Sequence, residues 1–326
     1  MKKIGIYSAL AVFLLLVVVP ILLVVFERND LLYGMTSVAI LAMISSGVWL
    51  TFYMGRINIG QGAYALMGGY ISAILITQYD ISFWISIYLA GCGASLFSVL
   101  IGFPLLRLQG VYFAMVTLTL TEIMRLLSFA LTPLTNGPRG ITGIPLPDAF
   151  SIFGLEIIPN FAEIENVKLA FYFLSIVLMI ATFAVMYRLV NSRIGALCRS
   201  LQQNQELASS LGVNIAWLRV IAYAISSFFG GIGGAVFVSM TQSVYPTTFQ
   251  VADSINYMLY TFLGGLDFVF GPIIGAFILY FGWDLLFVTG QYQLLIYSGI
   301  MIVLMLLLPN GLLSLNLNSF KKKAQK

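Results

Sequence analysis

Residues 110–131 read GVYFAMVTLTLTEIMRLLSFAL, an apolar run in which Glu122 and Arg125 carry the only charges. A helix needs about 20 mainly apolar residues to cross the hydrocarbon core of a bilayer, and this run is long enough. Residues three apart lie on one face of a helix, so Glu122 and Arg125 would meet. Either charge alone would be costly in hydrocarbon. We therefore predict a spanning helix whose ion pair faces other protein or water rather than lipid.

The composition of the whole chain agrees with this local pattern. Of 326 residues, 60% are hydrophobic and 9% are charged, and the mean hydropathy is +0.99. Soluble domains carry about 25% charged residues. The apolar excess must therefore face lipid, which predicts an all-α polytopic membrane protein with the lipid bilayer as its surroundings. A cytosolic enzyme, a disordered protein and a disulfide-built secreted module are excluded.

The missing residue types exclude further classes. The chain has no histidine, which excludes histidine-based zinc sites and Ser-His-Asp catalysis. The two cysteines, Cys92 and Cys198, lack CxxC spacing, and we expect two free thiols. No Gly-Lys-Ser or Gly-Lys-Thr is present, so the chain has no P-loop, and any ATP would be hydrolysed by another subunit. We expect no cofactor, metal site or catalytic residue. The net charge of +4 does not indicate nucleic-acid binding.

About ten membrane spans can be assigned from the apolar runs. The clearest are Ile4–Phe26, Leu31–Met54, Ile57–Gln78, Phe83–Leu106, Gly110–Leu131, Leu169–Leu189, Trp217–Thr241, Phe270–Val288 and Gln291–Leu308, and the tenth is Phe249–Leu266. The first run is longer than the apolar part of a signal peptide, so we expect an uncleaved span. The tenth is short and contains Asp253.

The basic residues predict the orientation. With both termini in the cytoplasm, ten spans leave twelve Lys and Arg residues inside, three outside and one within a span. The opposite orientation reverses this ratio, so the positive-inside rule favours cytoplasmic termini. Without the tenth span the basic C-terminal tail would lie outside, which is the main reason to keep that span.

The spans form one membrane domain, 1–326. Its parts are the first span (1–30), a first half (31–131), an external loop (132–167), a linking span (168–190), a cytoplasmic segment (191–216), a second half (217–313) and a basic cytoplasmic tail (314–326). The external loop holds five of the ten prolines, which predicts an ordered, turn-rich cap. The cytoplasmic segment predicts a short helix and a turn that ends at Gly212. Its apolar face would comprise Ala196, Leu197, Leu201, Leu207, Ala208 and Leu211.

Spans two to five begin outside and spans seven to ten begin inside, which is the arrangement of an inverted repeat. A weak sequence similarity between the two halves supports the repeat. Ile57-Asn58 precedes a Gly-Gly pair in the first half, and Ile255-Asn256 precedes a Gly-Gly pair in the second half. Such glycines either let helices approach closely or mark a transport pathway as well.

Several polar residues fall within the predicted spans. Asn58, Gln61, Thr117 and Asn256 are candidates for a substrate pathway because of their glycine-rich or hydroxyl-rich settings. The Glu122–Arg125 pair has two interpretations. It could line the pathway and meet the ammonium and carboxylate of a zwitterion, or it could be a structural ion pair that fixes helix packing.

Taken together, these segments resemble LivM-type permeases of branched-chain amino acid ABC importers. The matching stretches are Arg107–Pro145, Ile59–Ala73 (IGQGAYALMGGYISA), Asn191–Asn214 (NSRIGALCRSLQQNQELASSLGVN), Gly264–Gly275 (GGLDFVFGPIIG) and the Pro-Asn-Gly-Leu that starts at Pro309. Gln61 replaces the family's His, Ile59 stands at its Ser-Leu position, and Asn136 replaces a common glycine. The likeness spans about residues 31–313 and is more specific for the permease superfamily than for the substrate.

This resemblance implies a set of partners and a location. The chain would pair with a second permease subunit, two ATP-binding subunits and an extracytoplasmic solute-binding protein in a bacterial cytoplasmic membrane. Residues 191–213 would be the coupling helix that contacts the ATPase, and the alternative is an ordinary solvated loop helix. Its candidate coupling residues are Arg193, Arg199, Glu206, Ala208 and Gly212.

Three other functions stay open from the sequence. A permease for urea or another small polar solute would share the architecture. An ion-coupled secondary transporter could use Glu122 as its coupling group. An intramembrane enzyme has the least support, since no second carboxylate is visible at matched depth.

Overall fold

The computed structural model describes residues 29–105, 107–108, 110–152, 155–308 and 311–314. The predicted first span and the basic tail lie outside these residues. The helices are α1 (Asn29–Tyr53), α2 (Gln61–Tyr79), α3 (Phe83–Leu105), α4 (Val111–Ala130), α5 (Thr132–Thr135), α6 (Val167–Val190), α7 (Arg193–Gln203), α8 (Gln205–Ser210), α9 (Ile215–Thr241), α10 (Val251–Gly264), α11 (Gly271–Leu285) and α12 (Gln293–Leu307). The strands are β1 (Ile141–Thr142), β2 (Phe150–Ile152), β3 (Leu155–Ile158) and β4 (Ser243–Val244).

Six stretches of the described residues are long and apolar enough to cross a membrane. They are Asp30–Tyr53, Phe83–Leu105, Val111–Ala130, Val167–Val190, Ile215–Thr241 and Gly271–Ser314. The last contains both α11 and α12, which a 3₁₀ segment joins at Leu286–Tyr292. The chain is therefore an all-α polytopic membrane protein, as its composition predicts.

Several helices are shorter than their predicted spans, among them α2 and α10. The prediction that a span begins at Ile57 is wrong, because α2 begins at Gln61. The Asn58 side chain accepts a 2.8 Å hydrogen bond from the Gly60 amide, and this local turn holds residues 57–60 out of the helix. Helix α10 has only 14 residues, about 21 Å at 1.5 Å per residue. It is shorter than a hydrocarbon core of about 30 Å, so this helix alone does not make up the predicted tenth span.

Helix α9 is the central packing element. It packs against α1, α2 and α3, and glycines allow the closest approach. Gly68 of α2 lies against the Gly231 backbone, and Gly234 lies against the Ala65 backbone. A side chain larger than hydrogen at either contact would meet backbone atoms of the neighbouring helix. The glycines predicted to favour close packing therefore do so here.

Helix α1 is the second helix with several helical neighbours. It packs against α10 and α11, and α1 and α9 also pack against each other. Thr261 of α10 donates a 3.2 Å hydrogen bond to the Ser45 carbonyl of α1. The indole of Trp49 donates a 2.9 Å bond to the Leu266 carbonyl just beyond α10.

The proline-rich segment between α4 and α6 is turn-rich, as predicted. Its longest described helix, α5, has four residues. Strand β1 pairs antiparallel with β4, which follows α9, so this segment is joined to the second half of the bundle. The Trp84 indole also donates a 3.0 Å bond to the Asp148 carbonyl.

Candidate functional site

A buried polar cluster lies where α2 begins. The Asn58 amide donates to Gln61 Oε1 at 3.1 Å, and Gln61 Nε2 donates to the Ser226 carbonyl at 2.9 Å. Ser226 Oγ in turn donates to the Gly47 carbonyl at 2.9 Å. Asn58, Gln61 and Ser226 are fully buried. Ser226 lies about 16 Å along α9 from its first residue, so α2 begins well inside the bundle.

Hydroxyl groups extend this cluster to α4 and α10. Thr117 Oγ1 accepts a 3.1 Å hydrogen bond from the Ile59 amide. The hydroxyls of Thr121 and Ser254 lie 3.1 Å apart, and Ser254 Oγ accepts from the Gly62 amide at 3.0 Å. The cluster therefore joins α1, α2, α4, α9 and α10. Ser226 and Ser254 were not among the sequence candidates, although both are small polar residues in predicted spans.

Asn256 lies in a different environment from the other three pathway candidates. It lines a cavity of about 680 Å³ whose wall is largely aromatic, with Tyr33, Tyr260, Tyr280 and Trp283 among the lining residues. Among the described residues, no hydrogen bond joins Asn256 to the polar cluster. The structure thus brings Asn58, Gln61 and Thr117 together and places Asn256 elsewhere.

Glu122 and Arg125 form a two-point ion pair on α4. Arg125 Nε donates to Glu122 Oε2 at 2.9 Å and Arg125 Nη2 donates to Oε1 at 2.5 Å. The guanidinium also lies over the Phe129 ring, with its carbon 5.3 Å from the ring centre. The side chains of Arg125 and Glu122 are 26% and 38% exposed. The pair therefore lies on the outer surface of this chain rather than in its core.

The surface of α4 around the ion pair is mainly apolar, with the exposed Thr119 as a polar exception. Its opposite face packs into the bundle through Phe113, Thr117, Leu120 and Thr121. The open face carries Val111, Tyr112, Met115, Val116, Ile123, Leu126 and Leu127, each at least 40% exposed. Because an ion pair is costly in lipid, this face needs a protein or aqueous neighbour in the membrane.

The cytoplasmic segment folds as two helices rather than one. Ser192 caps α7 by accepting from the Gly195 amide at 3.4 Å. Asn204 caps α8 by accepting from the Leu207 amide at 3.0 Å. Gly212 follows α8 with φ of +81°, a backbone conformation that favours glycine, so the predicted stop at this residue is confirmed.

The prediction of one continuous apolar face on this segment is wrong. Leu201 and Ala208 are buried, whereas Leu197, Leu207 and Leu211 are 39%, 60% and 77% exposed, and Ala196 is also exposed. The physical reason is the break at Asn204, because the helical period does not continue from α7 into α8. Of the candidate coupling residues, Ala208 is buried, and Arg193, Arg199, Glu206 and Gly212 are exposed.

Both cysteines are free thiols, as predicted. Cys198 of α7 is fully buried among the apolar residues that hold the segment against the bundle. Burial raises the pKa of its thiol to about 11, because a thiolate is poorly solvated there. This thiol therefore has a structural rather than a reactive environment.

Comparison with known proteins places these features in a family. Residues 31–309 match the family described as branched-chain amino acid transport system / permease component. The chain is 30% identical over 285 residues to the high-affinity branched-chain amino acid transport system permease protein LivM of Salmonella typhimurium, which covers 83% of this chain and 66% of that protein. LivM of Escherichia coli K12 is 30% identical, with 82% and 66% covered.

A more distant relative is BraD of Pseudomonas aeruginosa, a high-affinity branched-chain amino acid transport system permease protein, at 24% identity over 87% of this chain and 95% of that one. The chain spans slightly less than two thirds of the length of the LivM proteins. No solved structure matches. Since the family match covers most of the chain, including the polar cluster, the α4 ion pair and the cytoplasmic helices, the chain belongs to the family of branched-chain amino acid transport system permease components.

Proposed function

We propose that this chain is the permease subunit of an ATP-driven ABC importer and forms, with a second permease subunit, the transmembrane path for branched-chain amino acids. An external solute-binding protein would deliver the substrate, and two ATP-binding subunits would drive the cycle. The observation that carries the proposal is the Glu122–Arg125 pair on the open face of α4. A spanning helix with charges on its outer face needs a partner or a water-filled path beside it.

The chemistry of that face fits a zwitterion with a branched apolar side chain. Glu122 can accept from an ammonium group, and Arg125 can donate two parallel hydrogen bonds to a carboxylate. Ile123 and Leu126, which are 46% and 52% exposed, supply apolar surface beside them. Urea has no charged or apolar group that would use these residues. Asn58, Gln61 and Thr117 would act indirectly, by fixing the positions of α2 and α4 relative to each other. The pathway role of Asn256 remains a prediction.

The two cytoplasmic helices would form the contact with an ATPase subunit. Leu207 and Leu211 are exposed on a segment that also presents Arg193, Arg199 and Glu206. Apolar groups ringed by charges are typical of protein interfaces. Ala208 would act indirectly, since its burial anchors α8 against the bundle.

We further propose the ten-span arrangement with cytoplasmic termini and an inverted repeat. The pattern of packing supports it, because α1 with α10 and α11 corresponds to α9 with α2 and α3. Inverted repeats allow two halves to exchange conformations around a central site. Helix α10 would then cross the membrane only together with the non-helical residues on either side of it.

The test is uptake by the complete complex in proteoliposomes, with the binding protein supplied outside and ATP supplied to the ATPase side. We expect uptake of labelled leucine, isoleucine or valine that requires ATP and stops with vanadate. Uptake on a proton gradient without ATP would contradict the proposal and favour coupling through Glu122. ATP-dependent uptake of urea in place of the amino acids would support the ATP-driven mechanism but contradict the proposal that branched-chain amino acids are the substrate.

A further inference from the structure

Two arginines are buried side by side at the cytoplasmic side of the bundle. Arg56 and Arg219 are 6% and 5% exposed, and the charge of Arg56 acts on Arg219. Arg219 Nη2 donates to Gln205 Oε1 at 2.8 Å. Arg219 Nε and two guanidinium nitrogens of Arg56 have no hydrogen-bond partner among the described residues. Within the same part of the chain, neither arginine forms a salt bridge.

This arrangement is unfavourable for the protein alone. Arginine stays protonated in proteins, and a buried cation without a counter-ion loses several kcal/mol of solvation. The two guanidinium groups also repel each other. Burial lowers the pKa of Arg56, because the charged guanidinium loses solvation there. An anion bound beside Arg219 would supply a counter-charge to the pair and an acceptor for Arg219 Nε.

One member of this pair, Arg219, lines a pocket. It has a volume of about 490 Å³ and is lined by Arg107, Gln205 and Arg219 together with Phe103, Ile215 and neighbouring apolar residues. Arg107 adds a third positive charge just beyond the end of α3. The first turn of α9 also lies here, and a helix N-terminus adds partial positive charge. The lining of the pocket thus combines cationic and apolar residues.

We propose that this pocket binds a phosphate monoanion or diester, supplied by the headgroup of an anionic phospholipid of the cytoplasmic leaflet. The pocket lies between the ends of two membrane-spanning helices, where basic pockets recruit anionic headgroups. Phe103 and Trp217, which are 48% and 58% exposed, are aromatic groups suited to the membrane interface. Leu100, 66% exposed and one turn above Phe103 on α3, offers a surface for an acyl chain. The volume admits a phosphate and its glycerol while the chains remain in the bilayer.

The proposal requires only that the chain is embedded in a membrane, so it is independent of the transported solute. The test uses the purified, delipidated full-length complex and native mass spectrometry, titrated separately with phosphatidylglycerol, phosphatidylcholine and inorganic phosphate. We expect phosphatidylglycerol to bind more tightly than phosphatidylcholine. Competition by inorganic phosphate is expected to be weak, since free phosphate gains nothing from the apolar wall.

The variants are Arg107→Gln and Arg219→Gln, with Arg188→Gln as the matched control. Arg188 is an exposed arginine at the cytoplasmic end of α6. Removing a charge-assisted contact should weaken phosphatidylglycerol binding about tenfold, and the control should change it little. Arg107 is exposed, so its variant tests the proposal even if Arg219→Gln fails to fold.

Three results would overturn the proposal. Equal binding of phosphatidylglycerol and phosphatidylcholine would show that the pocket does not recognise an anionic headgroup. Displacement of phosphatidylglycerol by millimolar phosphate, with phosphate itself bound tightly, would make a free anion the ligand. Unchanged lipid binding in Arg107→Gln, with loss of the ATPase subunits instead, would assign the arginines to an acidic surface of the partner.

Discussion

Gln61 Nε2 donates a 2.9 Å hydrogen bond to the carbonyl oxygen of Ser226, and this bond joins the first residue of α2 to the middle of α9. The glycines around it make room for the amide. A Cβ on Gly230 would lie 2.5 Å from Gln61 Nε2, and one on Gly47 would also collide with it. The amide is therefore enclosed on both sides by helix backbones. We infer a register-setting role for it, which means that it fixes the position of α2 along α1 and α9.

Replacing Gln61 by leucine should destabilise the bundle. The substitution leaves the buried Asn58 amide without its acceptor and removes the donor to Ser226. A buried polar group left unpaired costs about 1–3 kcal/mol. We expect a lower melting temperature of the purified complex. Gln78→Leu is the control, because Gln78 is exposed on the same helix, and equal melting temperatures for the two variants would contradict the register-setting role.

Gly68→Ala should disrupt the packing of α2 on α9. The added Cβ would meet the backbone of Gly231, and backbone atoms of a packed helix cannot move aside as a side chain can. The expected result is loss of most correctly assembled protein from the membrane fraction after mild detergent extraction. Gly282→Ala on α11 is the comparison, since a Cβ there meets nothing within 4 Å. A fall in assembled Gly282→Ala as large as that of Gly68→Ala would contradict the packing explanation.

The polar cluster shows how far the sequence predicts this structure. Asn58, Gln61 and Thr117 were identifiable as polar residues in apolar surroundings, and α3 and α4 begin and end within a residue of their predicted bounds. The start of α2 was missed because the Asn58 side chain caps a turn within the bundle. Helix propensity and hydropathy do not predict this side-chain hydrogen bond.

The segment 191–216 and the arginines near it were less predictable from the sequence. The apolar pattern of residues 196–211 is compatible with one helix, and only the cap formed by Asn204 separates it into two. The juxtaposition of Arg56 and Arg219 depends on how α1 and α9 pack. Burial of a cation has no signature in a single sequence, because an arginine beside a predicted span is usually solvated.

A charge swap distinguishes the two roles of the α4 ion pair. Arg125→Ala leaves Glu122 without its partner, so we expect a less stable complex and little transport. The double variant Glu122→Arg with Arg125→Glu restores an ion pair at the same spacing and should recover most of the thermal stability. Leucine uptake should stay at least about tenfold below the wild type, since the swapped charges no longer match an oriented zwitterion.

Two results would count against this interpretation. Recovery of both stability and uptake in the double variant would leave the pair a packing role only. Arg125→Ala with unchanged stability and uptake would remove both roles.

Docking on the ATPase subunits should depend on the exposed leucines of α8 and its end. Leu207→Asp places a charge where an apolar contact is proposed, and we expect loss of the ATPases during purification while the chain still inserts. Glu206→Lys should weaken the same contact, and Gly212→Pro should too, because proline cannot adopt φ of +81°. Ser209→Asp is the control, because Ser209 is exposed on the same helix and, two residues from Leu207, lies on the opposite side of it. Retention of the ATPases and of uptake by Leu207→Asp would exclude docking through this face.

The buried thiol of Cys198 predicts a pH dependence of alkylation. The thiolate is the reacting form, and burial raises the pKa from 9.0 to about 11. At pH 8 the thiolate fraction is therefore about a hundredfold below that of an unshifted cysteine. The rate of labelling by a small maleimide in a Cys92→Ala background should be low and should rise about tenfold per pH unit up to pH near 11.

The accessible reference is Ser209→Cys in a background lacking both native cysteines, since Ser209 is exposed on α8. Leu201→Ala should accelerate labelling of Cys198 by opening the apolar packing around it. Equal rates for Cys198 and the Ser209→Cys thiol at pH 8 would mean that α7 does not rest against the bundle in the membrane.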